Sequence, residues 1–423
     1  MIRCRRINNR HTTKILVGAF AWLLLGSSLA YSQAMKAPDE GSTSDLVNLD
    51  SPENRVSSTT ASVEFRADYL LWWTKNGPTP GPLVTTGSLT DTVPGALGSP
   101  HTSVLYGDKG LDYRLQSGGR WTLDWWCGDS KSLGFEASGF ILETHTIHFA
   151  RDSDKAGAPL IGRPFFNIAS GLPDAQVVTA PGLAFGGIDV FSDSRLWNGE
   201  VNWLFNFFET ANIRGDLLAG VHYIGQDESL RISQSSTFLS GSTCFFGSTL
   251  LPPDILSLTD RVETRNEFFG GQIGARGTWH SGSFIANLSG KVALGSNHQS
   301  VNITGKTQKT TSDGITLTGP GGLLDLGTNN GLRSRDEFTF ASEISVNLGY
   351  QLTSHISTWV GYTFFYWDDV ARPGGQLTSV INPGYLPYSP LYGKLGGPYQ
   401  PAFSFNGSNF WAQGINLGLS ISF

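Results

Sequence analysis

Residues 408–423 read S-N-F-W-A-Q-G-I-N-L-G-L-S-I-S-F. Trp411, Ile415, Leu417, Leu419, Ile421 and Phe423 occupy odd positions; Asn416, Gly418, Ser420 and Ser422 occupy even ones. Strict period-two alternation puts apolar groups on one face of a strand and small polar groups on the other. Gln413 is the one polar residue on the apolar face, near one end. A sheet closing on itself in lipid needs such a last strand, because hydrocarbon offers the backbone no other partner.

The same pattern recurs from residue 62 onward. Phe65, Tyr69, Leu71 and Trp73 alternate with Glu64, Arg66 and Asp68. Leu115, Trp121, Leu123 and Trp125 alternate with Arg114, Arg120, Thr122 and Asp124. A strand over about 132–148 has an unclear phase, since Phe140 and Leu142 compete with Phe135 and Ile141, and a bulge is expected there. Val201, Trp203, Phe205 and Phe207 oppose Glu200, Asn202 and Asn206; Ile213, Leu217 and Val221 oppose Arg214, Asp216 and His222. Further strands carry Phe269 and Ile273, then Leu288 and Val292, then Ile344 and Val346, then Val360 and Tyr362.

The expected fold is all-β: an antiparallel up-and-down transmembrane β-barrel of about ten strands, ten to fourteen at the limits. Connections alternate between five long loops, roughly 28 to 45 residues each, and four short turns. With short turns in the periplasm and long loops outside, both termini fall in the periplasm, as an even strand count requires. Trp72, Trp73, Trp367 and Trp411 fall where strands meet outer loops, and Trp125, Trp126 and Trp279 fall beside short turns. They are expected to form two interface girdles.

Composition agrees. Of 423 residues only 15% are charged, against about 25% in a typical soluble domain. Beyond the first 30 residues no apolar run reaches the roughly 18 residues a spanning helix needs. Residues 1–34 read as a signal peptide: Arg3, Arg5, Arg6, Arg10 and Lys14 precede an apolar stretch over 15–25, and Ala30 or Ala34 ends it. Residues 35–61 read as a disordered periplasmic lead-in, and 62–423 as the barrel. Losing five of 29 basic residues with the signal leaves 24 against 35 acidic ones, a net charge of −11, which argues against a nucleic-acid partner. Cys127 and Cys244 are expected at opposite ends of the barrel and unbridged.

The polar phase of the strands supplies the lumen. Candidate lining residues are Arg66, Arg120, Asp124, Glu200, Asn202, Arg214, Asp216, Arg276, Lys291, Glu343 and Asn347, with Asp112, Arg114 and Glu136 beside them. A barrel of about eight strands leaves room only for side chains, so ten strands enclose a narrow interior. The charges either pair and plug it or line a thin aqueous path. No enzyme chemistry is expected. His145 and His148, three apart on a strand, face opposite sides and do not share a metal. Asp368 and Asp369 read as a solvated strand end, and the Pro-Gly-Gly triplets at 320 and 373 as turns. No cofactor or metal site is expected.

The chain's ending resembles the C-terminal strand that the outer-membrane barrel-assembly machinery reads, with Ile415, Leu417, Leu419, Ile421 and Phe423 on its apolar face. A wider resemblance rests on Y-L-L-W-W-T-K (69–75), G-P-L-V-T-T-G (81–87), G-G-R-W-T-L-D-W-W (118–126), R-N-E-F-F-G-G-Q-I-G (265–274), G-K-V-A-L-G (290–295), G-Y-Q-L-T (349–353), G-Y-T-F-F-Y-W (361–367) and F-W-A-Q-G-I-N-L-G-L (410–419). In order and combination these resemble the beta-barrel porin family of type seven, known mainly from planctomycete bacteria. The resemblance implies an outer-membrane barrel and carries no catalytic or substrate-binding residues. The expected function is porin-like passive diffusion of small solutes across the outer membrane. The alternative is a closed structural or adhesive barrel presenting its outer loops. Expected partners are the lipid bilayer, the assembly machinery and small solutes.

Overall fold

In the computed structural model the described residues are 62–128, 131–241 and 243–423. The expected signal peptide and lead-in lie outside them. Ten antiparallel strands form a closed ring: β1 (Ser62–Thr74), β2 (Leu115–Cys127), β3 (Leu133–Leu142), β4 (Ala184–Glu209), β5 (Ile213–Phe238), β6 (Ile255–Ser281), β7 (Phe284–Thr310), β8 (Gly331–Gln351), β9 (Ile356–Ala371) and β10 (Gly407–Ser422). Each pairs with its neighbours in sequence. The seam is β10 against β1, from Glu64↔Ser422 to Thr74↔Ala412, so no edge stays open in the ring.

The outer face carries the expected phase. Phe65, Tyr69, Leu217, Val221, Ile273, Leu288, Ile344 and Val360 are all exposed, as are Ile415, Leu417, Leu419, Ile421 and Phe423. From Ile213 to Tyr223, β5 presents the apolar belt over about the 9–11 residues a tilted strand needs to cross hydrocarbon. Among the described residues no helix is long and apolar enough to span a membrane.

The strands do not stop at the belt. β5 runs on over 224–238, roughly 50 Å of extended chain, and β4, β6 and β7 rise with it. Much of the expected loops at 149–193, 233–263 and 305–333 is therefore strand, and the connections left at 239–254 and 311–330 themselves carry the short strands Thr243–Phe245, Ser248–Leu250 and Thr316–Pro320. The polarity of the alternation inverts above the belt. Ile188, Val190, Leu230, Ile232, Leu256, Leu258 and Val262 point inward and are buried, while Arg231 and Arg261 on the intervening positions face out. A wall with an apolar inner face and a polar outer one is built for water outside and a core within. That core is supplied by the long loops. Ile161–Asn167, Leu172–Thr179, Val84–Thr86, Ser103–Tyr106 and Val380–Ile381 make a small second sheet, and Leu83, Ile161, Phe165, Leu323, Leu326 and Ile381 join the wall residues in one cluster. The result is a folded head above the barrel.

The bulge expected near residue 140 is present. β3 pairs with β4 up to Ile141↔Trp197, and His145–Asp152 resumes pairing with β4 at His145↔Ser194, so one extra residue sits on the first side. A second bulge interrupts β9 between Trp367 and Val370, with Asp369 at φ 49°. Asp368 and Asp369 thus belong to a strand irregularity, and Arg335 pairs with Asp369 at 3.4 Å.

Two buried ion pairs pin loops to the wall. Arg163 donates to Asp260 at 2.6 Å and to Gln234 at 3.1 Å. Arg372 grips Glu228 through two bonds, 2.8 and 2.7 Å, and caps the carbonyls of Lys75 and Asn76. Asp260 also accepts the backbone N–H groups of Leu323, Leu324 and Asp325 at 2.9–3.0 Å. The Asp325 carboxyl beside it is fully buried, and neither of its oxygens has a hydrogen-bond partner among the described residues.

Burial, reinforced by the negative charge of Asp260, pushes the Asp325 carboxyl up from 3.8 to about 8. Between those values the folded head holds a proton that the unfolded chain has released, so rising pH favours unfolding through that window and no further above it. Thermal unfolding of the head in detergent micelles, followed by near-UV circular dichroism from pH 5 to 9, checks this. Asp325→Asn is expected to flatten the loss of stability seen in the wild type between about pH 5 and 8, and to be the more stable of the two at pH 9.

Candidate functional site

The inward phase of the strands builds the interior in three layers. The first, at the turn end, is a polar vestibule of about 500 Å³ that reaches the turn residues Thr210 and Asn212. Asn347, Asp68, Glu64, His280 and Asn287 line its wall, and Asp68 accepts a hydrogen bond from the Trp359 indole at 2.6 Å.

The second layer is a set of ion pairs that cross the lumen. Arg120 on β2 reaches Glu343 on β8 with two bonds, 3.1 and 2.7 Å. Arg276 on β6 reaches Asp124 on β2 at 3.2 Å and Glu136 on β3 at 2.8 Å. Arg66 joins the same two carboxylates, 2.8 Å to Asp124. Lys291 on β7 pairs with Glu200 on β4 and lies 3.5 Å from Glu343. Arg66–Asp124 and Lys291–Glu343 join adjacent strands; the other pairs skip at least one strand, so the bonds tie separate walls together. Amides join the two halves: Gln272 donates to Glu200 at 2.8 Å and to Asn202 at 3.0 Å, and Asn202 donates to Glu136 at 3.1 Å. Arg214 and Asp216 extend the network toward the turns, 2.9 Å apart, and Asp216 lies 3.6 Å from Arg276.

The third layer is aromatic. Trp72, Phe140, Phe268, Phe365, Trp367 and Phe410 are buried in one cluster with Leu70, Leu196 and Ile224. Trp72 and Phe140 pack at a tilt with ring centroids 5.0 Å apart, and the Arg120 guanidinium lies 5.3 and 5.2 Å from their rings, joining this layer to the ion pairs. Trp72 donates to Asn416 at 2.8 Å. Beyond it the head core begins.

Several expected positions change. Trp72, Trp126 and Trp367 are not membrane-interface residues: all three point inward and are buried. Adjacent residues on a strand face opposite sides, so only one of Trp72/Trp73 and of Trp125/Trp126 can meet lipid. Trp73, Trp125 and Trp279 are the exposed ones, and Trp411 is half-buried at the loop end. Trp126 instead lies under Arg214, 3.9 Å from guanidinium carbon to ring centroid. Asp112 and Arg114 are exposed in the outer loop and take no part in the lumen. Asn202 and Asn347 separate: the first is fully buried in the ion-pair layer, the second lines the vestibule. The aromatic layer escaped the sequence reading, although Phe140, Phe268, Phe365 and Phe410 all sit on the polar phase of their strands. That misplaced phase was the available signal. His148 pairs with Asp189 at 2.8 Å and stacks on Phe191. Among the described residues no group of three or more histidine, cysteine or carboxylate side chains is arranged to hold a metal ion.

Arg276 neutralises three carboxylates at once. Arg276→Met is expected to leave Asp124, Glu136 and Asp216 short of charge and to cost roughly 3–5 kcal/mol of barrel stability. Urea titration of heat-modifiable gel migration in lipid measures it, and Arg335→Met, at a half-exposed pair, serves as the mild comparison.

The family model described as Putative beta barrel porin-7 (BBP7) matches residues 65–423. No curated protein matches the sequence. Solved outer-membrane proteins align over most of their lengths at low similarity. The outer membrane protease OmpT from Escherichia coli is 9% identical, with 87% of this chain and 98% of that chain covered and a TM-score of 0.35. A Pseudomonas aeruginosa FadL homologue is 10% identical, with 86% and 90% covered and a TM-score of 0.20.

Proposed function

From membership of the beta barrel porin-7 family, to which this chain belongs, and from its crossed lumen, we propose a closed outer-membrane barrel that carries and presents a folded outer head. The observation that carries this reading is the ion-pair layer tying β2 to β8, β2 and β3 to β6, and β4 to β7, backed at once by buried aromatics. Water and small solutes enter the vestibule from the turn end and stop where the ion-pair layer of Arg66, Arg120, Arg276 and Lys291 lines its inner end. Desolvated charges of this kind persist where each has several partners, and here Glu136 and Arg276 have three or more each. Pairing across the lumen makes the barrel a rigid post. The head, fixed to it by Arg163 and Arg372, is then the surface that meets the outside.

Porin-like passive diffusion is the competing reading. It requires both the ion-pair layer and the aromatic layer to part, and the vestibule is the stretch of such a path that the barrel holds open. The outward apolar face of β10 supports insertion by a barrel-assembly machinery that reads strand edges.

Single-channel recording of the refolded protein in a planar bilayer tests the choice. A folded barrel, verified by heat-modifiable migration, is expected to give no stepwise current. In the same preparation Asn347→Cys is expected to react with a water-borne thiol reagent and Asn202→Cys to stay unreacted. Steady current steps, or labelling of both cysteines at similar rates, would return the assignment to an open pore.

A further inference from the structure

On the lipid face of the barrel a notch of about 380 Å³ opens at the loop-side margin of the apolar belt, lined by Tyr69, Gly119, Ile141, Glu143 and Arg195 among others. Two features of the chain create it. Gly119 faces outward between Tyr69 and Ile141 and leaves a gap; a methyl group there would meet nothing nearer than the Asp68 carbonyl at 3.9 Å. Beside it the sheet parts. The β2–β3 ladder ends at Gly118↔Leu142 and the β3–β4 ladder at Ile141↔Trp197, so Glu143 and Thr144 bulge away before pairing resumes at His145.

The floor is apolar and exposed, with Tyr69 and Ile141 on either side of Gly119. At this depth a bilayer would place an acyl chain against it. The rim is charged. Arg195 is exposed, sits 5.3 Å over the Trp197 ring and has no carboxylate within 4 Å among the described residues; its charge acts on Asp227 of β5 from farther away. Glu143 faces the same notch. Its carboxylate accepts the Ser117 N–H at 3.2 Å and is also held by the Ser117 side chain, and it stays exposed to the notch. A guanidinium with no carboxylate within 4 Å suits a phosphate, which it binds as a planar fork. The carboxylate beside it disfavours a head that is anionic throughout and favours one that also carries an ammonium.

We propose that this notch is a binding site for one zwitterionic aminophospholipid. Its acyl chain lies on Gly119, its phosphate meets Arg195, and its primary ammonium meets Glu143. The site is on the outside of the barrel and is independent of whether the lumen conducts.

The test is native mass spectrometry of the refolded full-length mature protein, delipidated in detergent and exposed to equimolar phosphatidylethanolamine, phosphatidylglycerol and phosphatidylcholine. The wild type is expected to retain one phosphatidylethanolamine in preference to the other two. Gly119→Leu, which fills the gap, and Arg195→Gln, a rim change that leaves the ladders untouched, are each expected to reduce that retention at least tenfold. Glu143→Gln keeps an acceptor for Ser117 and is expected to shift preference to phosphatidylglycerol. Equal retention by the wild type and Gly119→Leu would overturn the site. A wild-type preference for phosphatidylglycerol would overturn the aminophospholipid assignment, and migration of each variant as a folded barrel separates these results from misfolding.

Discussion

Hydrocarbon gives the backbone nothing to bond with, and everything else in this molecule follows from the way the sheet meets that demand. β10 must find β1, and it does so along the length of β1 in register. Closure with ten strands sets the bore. At that bore an arginine on one wall reaches a carboxylate on the far wall, as Arg120 reaches Glu343 and Arg276 reaches Glu136. A wider barrel would leave these groups to water. Here each charge is desolvated by its neighbours, and the lumen stays intact only because the charges answer one another.

The same strands serve two solvents. Along β5, Leu217 and Val221 face out into lipid while Arg214 and Asp216 face in; past Tyr223 the inward positions take in Ile224, Leu230 and Ile232 beside the buried Gln226, Glu228 and Gln234, and Arg231 faces out. The side-chain direction never changes, since it is set by the pleat. What changes is which face carries the apolar groups. The aromatic layer of Trp72, Phe140, Phe268 and Trp367 sits at the level of that exchange. It closes the polar interior below against the apolar interior above, and Arg120 spans the joint by packing its guanidinium on Trp72 and Phe140.

This inversion also explains what the sequence disclosed. The belt was legible because apolar-out alternation is a local signal: residues 411–423 and 197–207 show it within a dozen positions, and short turns at 210–212 and 282–283 fix strand direction. The ten-strand ring follows from counting such segments. The tall walls were not legible, because 184–194 and 224–238 carry the opposite phase with the polar residues of a water-facing sheet, and Ser-, Thr- and Gly-rich stretches of that kind read as loop. Trp72, Trp126 and Trp367 were misplaced for a related reason. Residue type suggested an interface, whereas parity along the strand decides the face. The inward direction of Arg66, Asp124 and Arg276 follows from that parity. Their partners across the bore do not, because sequence spacing holds no information on which strands lie opposite.

Ring position supplies that missing information, and with it the order in which the interior would have to yield. Arg276 and Arg120 hold different pairs of walls, but Asn202 and Gln272 connect Glu136 to Glu200, and Lys291 links Glu200 to the Glu343 that Arg120 holds, so neither half can swing aside without disturbing the other. The aromatic layer depends on Arg120 from below and on the head core from above. The head in turn is anchored through Arg372, which holds Glu228 of β5 together with the carbonyls that follow β1. Any opening of the lumen therefore has to disturb the ion pairs, the aromatic layer and the head together. That three-way coupling of ion pairs, aromatic layer and head is what the proposed reading of the barrel as a post for the head rests on.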